Sequence, residues 1–147
     1  MWYDNQVTKK LGIRYPIIQA GMAGGATTPQ LIAAVSNSGG LGTLGAGYMN
    51  PDQIRSAIQE IRELTDRPFA VNLFLPEQYE VDFTKIRQME GKLRPFYDEL
   101  NVTPPELPKQ WGAVFEDQLS VLLKEKVPVF SCTFGVPSKE TVIQLKQ

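Results

Sequence analysis

The sequence predicts an α/β fold built on a mainly parallel sheet with helices outside. Three observations carry that expectation. Short apolar runs alternate with longer stretches whose apolar residues recur at helical spacing. The 12 glycines and 11 prolines cluster between these segments and punctuate them. Helix-start signals, a Thr or Asn followed at once by Pro, recur after the apolar runs. An open doubly wound sheet and a (β/α)8 barrel both satisfy the pattern.

Tyr15 to Ala20 reads as a first strand, bounded by the flexible turn Gly21-Met22-Ala23-Gly24-Gly25. Thr27-Thr28-Pro29-Gln30 opens a helix with a Thr cap and an early Pro. Leu31, Ile32, Ala34 and Val35 supply its buried face, and Gly39-Gly40 end it. Leu41 to Gly47 is a Gly-rich second strand, where glycine points to close approach of a ligand or another backbone. Asn50-Pro51-Asp52-Gln53 starts the next helix, with Ile54, Ile58, Ile61 and Leu64 in one apolar stripe. Asp52, Glu60, Glu63 and Asp66 form its solvated face.

Phe69 to Leu75 is the third strand. Residues 76–114 are an excursion holding one helix, marked by Phe83, Ile86, Met89, Leu93, Phe96 and Leu100 and expected to kink at Pro95. Phe115, Leu119 and Leu122 mark a helix leading into a fourth strand, Val127 to Phe134. Ser138 caps a last helix from Lys139 onward. The whole, residues 1–147, reads as part of one domain with a helical insertion at 76–114.

Composition excludes several functions. Fifteen Lys+Arg against sixteen Asp+Glu give a net charge of −1, no footprint for nucleic acid or an anionic membrane. The apolar runs fall far short of the roughly 18–20 residues a membrane span needs. The polar N-terminus shows no signal peptide, and one cysteine suits a reducing compartment, so the expected location is cytoplasmic. With no His, one Cys and no carboxylate cluster, no metal site is expected.

Gly40-Leu41-Gly42-Thr43-Leu44-Gly45 fits the G-x-G-x-x-G pattern, but it follows a helix and is itself the apolar strand. A dinucleotide fingerprint must follow a strand and open a helix, so that reading fails. Residues 21–25 lie at the carboxyl end of the first strand, where parallel α/β folds bind ligands. Their glycines serve either close approach of a cofactor or a tight turn with positive φ.

Asn72 interrupts an apolar strand. Period two places Ala70, Asn72 and Phe74 on one face and Val71, Leu73 and Leu75 on the other. The aliphatic face belongs under helices. The mixed face points into a barrel or cleft, where the amide needs either a ligand or neighbouring backbone. By the same parity Thr133 sits on the ligand side, and Cys132 is a packed thiol between sheet and helices. Tyr79, Tyr97 and Trp111 in the excursion suit either a lid or substrate wall, or a surface subdomain that only packs. No catalytic residue is assigned within the chain.

Tyr15-Pro-Ile-Ile-Gln-Ala-Gly-Met-Ala-Gly, then Thr28-Pro-Gln-Leu-Ile-Ala-Ala-Val-Ser-Asn-Ser-Gly-Gly-Leu-Gly, then Gly45-Ala-Gly-Tyr48 resembles the start of nitronate monooxygenases. Phe69-Ala-Val-Asn-Leu-Phe and Phe130-Ser-Cys-Thr-Phe-Gly resemble their third and fourth strands. Flavin-dependent enoyl-acyl-carrier-protein reductases share much of the first block. The resemblance implies a TIM barrel that binds FMN noncovalently and oxidises alkyl nitronates with O2. It implies FMN contacts from Ala20, Gly21 and Met22, mainly through backbone, and a hydrogen bond from Asn72. Some members carry His where this chain has Thr133, a departure from the family pattern, so the expected substrate-side role of Thr133 rests on its strand parity alone.

The family's active-site His lies in a Gly-Gly-His segment after strand five, and its phosphate loops follow later strands. Neither is present among these 147 residues. The expectation is therefore the N-terminal half of a barrel, about four βα units, inactive alone. A homodimer or a complementary C-terminal half is then the expected partner, besides nitronate and O2. The alternatives are an enoyl-acyl-carrier-protein reductase and a catalytically inactive half-barrel.

Overall fold

A computed structural model describes residues 1–76, 81–106 and 115–146. Two compact units are present, Met1–Pro76 with Gly112–Gln147, and Glu77–Trp111.

The first unit holds the sheet. Its elements are α1 (Gln6–Leu11), α2 (Pro29–Asn37), β1 (Gly42–Gly45), α3 (Pro51–Leu64), β2 (Phe69–Phe74), α5 (Phe115–Lys124), β3 (Val129–Thr133) and α6 (Lys139–Leu145); α4 (Phe83–Leu100) belongs to the second unit. The described strands form a parallel sheet in the order β1-β2-β3. Gly45 pairs with Asn72, and Asn72 with Ser131, so one register line crosses all three strands.

The expected first strand is reduced to one parallel bridge, Ile18 to Leu41. Leu41 N–H donates to Ile17 O and Gln19 N–H to Leu41 O, both at 2.9 Å. Beyond that the side chain of Gln19 takes over. Thr43 N–H donates to Gln19 Oε1 at 3.0 Å, and Gln19 Nε2 donates to Thr43 O at 3.3 Å. A side-chain amide thus occupies the peptide of Thr43 that a strand backbone would have paired. Helix α1 is an addition to the sequence reading. Asn5 caps it by accepting from Val7 and Thr8 N–H, and Gly12, at φ +68°, ends it.

Helices α2 and α3 start where their caps predict. Thr28 Oγ1 accepts from Leu31 N–H, and Asn50 forms a capping box with Gln53. Ile54, Ile58 and Ile61 of α3 are buried against Val71 and Leu73 of β2, joined by Ile32 of α2 and by Leu119 and Leu122 of α5. Each such burial contributes about 1.5–3 kcal/mol. Leu64, expected in the same stripe, is instead exposed at the helix end. The four carboxylates named for the outer face of α3 are exposed.

Buried polar side chains tie these layers. Ser36 Oγ donates to Pro68 O at 3.0 Å and accepts from Gly42 N–H at 3.2 Å. Gln118 Nε2 reaches Ala46 O at 3.2 Å and Met49 O at 2.8 Å, fixing α5 to the loop after β1.

In the second unit α4 runs as one helix through Pro95, without the break a proline invites. Asp82 caps it, and none of its side chains is fully buried. Tyr97 lines a groove with Ile86, Leu93, Pro104 and Pro105. Tyr79 and Trp111 lie outside the described residues.

Candidate functional site

The carboxyl ends of β1, β2 and β3 carry the residues singled out from the sequence. Parity places Asn72, Ser131 and Thr133 on the face opposite the helices, as the alternation predicts. Asn72 Nδ2 donates to Ser131 Oγ at 2.8 Å. Thr133 Oγ1 donates to Asn72 Oδ1 at 3.2 Å. The amide is therefore held by side chains of the neighbouring strand, rather than by backbone. An Asn amide offers two N–H groups and two lone pairs of its oxygen. Among the described residues, one of each is used.

The turn after Gln19 lies over this corner. A Cβ at Gly21 would stand 3.0 Å from Asn72 Cβ and 3.1 Å from Thr43 Cγ2. A Cβ at Gly45 would stand 2.4 Å from the carbonyl carbon of Met22. The glycines of β1 are thus explained by close approach of backbone, the second of the two reasons the sequence allowed. Gly24 and Gly25 differ, because they hold φ of +94° and +97° with open space around them. They are turn glycines.

Thr27 secures the turn. Its buried Oγ1 accepts from Gly45 N–H at 2.9 Å and donates to Met22 O at 3.1 Å. Ala20 O accepts from Gln19 Nε2. Ala20 and the Met22 side chain are exposed, and Gly21 is half-buried. Of the five residues named from the sequence, Gly21, Asn72 and Thr133 come together directly. Ala20 and Met22 join them through the backbone that Thr27 and Gly45 position.

Cys132 departs from expectation. It is half-buried, on the last described strand of the sheet, with Sγ 3.9 Å from Gly135 O. Its face is the expected one, since Phe130 packs on the helix side. Cover there is incomplete because no described strand pairs with the far edge of β3.

Four polar residues of the corner escaped the sequence reading as site members: Gln19, Thr27, Thr43 and Ser131. Gln19 carried a usable signal, an amide interrupting an apolar run as Asn72 does. Thr43 is only 3% exposed, and its Oγ1 has no hydrogen-bond partner among the described residues. An aromatic chain completes the corner. Tyr48 meets Phe74 edge to face at 5.2 Å between centroids, and Phe74 meets Phe134 at 5.0 Å.

Comparison with known proteins bears on the family and the fold. The nitronate monooxygenase family profile matches residues 4–147. A probable nitronate monooxygenase of Staphylococcus haemolyticus is 44% identical over 146 residues, covering 99% of this chain and 41% of that protein. One from Staphylococcus aureus strain MSSA476 is 44% identical over 147 residues, with the same 41% covered. Among solved structures, nitroalkane oxidase from Streptomyces ansochromogenes aligns with a TM-score of 0.83 at 38% identity, over 95% of this chain and 39% of that one. FabK from Thermotoga maritima aligns with a TM-score of 0.64 at 36% identity, over 95% of this chain and 34% of that one. The chain spans about two fifths of the length of the curated relatives it matches, at 41%. By its profile, its relatives and its fold, the chain belongs to the nitronate monooxygenase family.

Proposed function

We propose that this chain supplies the flavin-contacting N-terminal part of a nitronate monooxygenase with a TIM-barrel fold. The activity is oxidation of alkyl nitronates with O2, and the cofactor is FMN. The observation that carries the reading is the Asn72 amide, fixed by Ser131 and Thr133 beneath the Gly21 turn at the carboxyl end of a parallel sheet.

The residues fit such a group. Asn72 keeps one N–H and one Oδ1 lone pair beyond its two bonds. Ala20, Gly21 and Met22 present backbone with no side chain at the centre of the turn. The chemistry FMN supplies is acceptance of electrons from the nitronate and their delivery to O2. The chain's own share is binding and orientation. Asn72 would donate to the flavin, with Ser131 and Thr133 holding its amide plane so that little freedom would be lost on binding. Thr133, exposed at the strand end, faces the substrate side. With no His in the chain, proton transfer is not assigned to any of its residues.

The test is a hybrid in which this chain replaces the matching 41% of the Staphylococcus haemolyticus relative. The hybrid is expected to hold FMN and to release nitrite from propionate 3-nitronate under O2. The 147-residue chain with FMN alone is expected to release none. A folded hybrid without FMN contradicts the proposal. Turnover of an enoyl thioester with NAD(P)H, in place of the nitronate, selects the reductase reading.

A further inference from the structure

We infer that Tyr48, Phe74 and Phe134 form an apolar wall that selects the length of the substrate's alkyl chain. The inference rests on the functional reading above and deepens it by naming the part of the substrate that this chain reads.

The three rings come from three successive strand ends. Tyr48 follows β1, Phe74 ends β2 and Phe134 follows β3. They run edge to face, with interplanar angles of 85° and 64°. The middle ring is locked. A Cβ at Gly47 would stand 2.5 Å from Phe74 Cδ2, so the absence of a side chain at 47 makes room for it. The outer rings are open, Tyr48 at 70% and Phe134 at 60% exposure. Among the described residues these ring faces are an exposed apolar surface.

Phe134 adds a second observation. Its φ is +69°, in the left-handed region that a bulky non-glycine residue rarely adopts. The backbone holds the ring in this place although glycine would be easier there. Such outliers cluster where a side chain is positioned for a ligand.

Polar and apolar parts of the corner are contiguous. Phe74 is two residues from Asn72 on the same face, and it pairs in register with Thr133. A polar anchor beside an aromatic wall matches a small amphipathic ligand. Its charged or nitro end meets Asn72 and Thr133, and its alkyl tail lies along Phe74 toward Phe134 and Tyr48.

Each methylene laid on such a wall tightens binding about fourfold when fully covered. The experiment titrates the full chain with nitroethane, 1-nitropropane, 1-nitrobutane and 1-nitropentane, followed by ring and amide NMR shifts, with FMN present and absent. Phe134→Gly removes the ring at a position where glycine relaxes the backbone, so the fold is kept. Tyr48→Ala removes the other exposed ring. The expected result is a dissociation constant that falls twofold to fourfold per methylene in the wild-type chain, with shifts at Phe134 and Tyr48. Both variants flatten the series to below about 1.5-fold per methylene. An equal slope in the variants, or no chain-length dependence in the wild type, overturns the wall. A preserved slope with no nitronate turnover in the hybrid overturns the functional reading and leaves the wall standing.

Discussion

Asn72 and Ser131 are joined across β2 and β3 by a hydrogen bond of 2.8 Å between Nδ2 and Oγ, at the register position where the two residues face each other. The bond orients the amide rather than saturating it. Ser131→Ala is expected to leave the fold intact, costing about 1 kcal/mol of stability. Released from this partner, the amide can rotate, so FMN affinity in the hybrid should drop more than stability does. Chemical denaturation and flavin fluorescence on the same variant separate the two effects.

Thr43 presents the opposite case, a buried hydroxyl without a partner among the described residues. Thr43→Val keeps the shape and removes the unpaired group. Stability is expected to rise by about 1 kcal/mol, since an unsatisfied buried polar group costs that much or more. Thr43→Ser keeps the hydroxyl, loses the methyl and should destabilise. Urea midpoints of the two variants check the sign.

Gly45 marks where the turn meets the sheet. Gly45→Ala places a Cβ against the Met22 backbone, which cannot yield as a side-chain tip would. A loss of about 1–3 kcal/mol is expected, typical of overpacking. The same displacement lifts the Ala20–Met22 backbone from Asn72, so FMN retention in the hybrid should fall in step. Gly24→Ala meets no neighbour, and its smaller cost comes from φ alone.

Glu125 links α3 to the end of α5. It pairs with Arg62 at 2.9 Å and with Arg55 at 3.8 Å. The Arg55 and Arg62 side chains are 39% and 41% exposed, so solvent screens the pairs in part, and Glu125→Gln should cost about 0.5–1 kcal/mol. The loss should shrink in 1 M salt, where screening is strongest. Denaturation at two ionic strengths reads it.

Glu140 lies in the first turn of α6, and its carboxyl sits below the usual carboxylate range. The cause is first a backbone N–H bond and then the Ser138 side chain. A lowered folded-state pKa stabilises above the unfolded value, and that contribution is lost as pH falls through the folded value. The protection factors of the α6 amides, corrected for the intrinsic pH dependence of exchange, should therefore fall on acidification below the normal Glu range. Glu140→Gln should remove that dependence.

The layered fold was legible because its signals are local. Caps at Thr28, Asn50 and Ser138 and the stripe Ile54, Ile58 and Ile61 needed no tertiary information. Period two alone assigned Asn72 and Thr133 to one face. The losses came from contacts distant in sequence. Gln19 replaces a strand backbone only because Thr43 lies opposite. Thr27 reads as part of a helix start, yet its hydroxyl serves Gly45 and Met22. The aromatic chain joins residues 48, 74 and 134, a grouping that only the parallel register brings about.

The account stands most directly on Asn72 as a flavin contact. The measurement is the FMN dissociation constant of the hybrid, read by flavin fluorescence, for Asn72 and for Asn72→Leu. Loss of a bond from a desolvated amide should weaken FMN about tenfold or more. The thermal midpoint of each protein is recorded beside it to show that both are folded. A folded Asn72→Leu hybrid that binds FMN within twofold of the unsubstituted one would contradict the account.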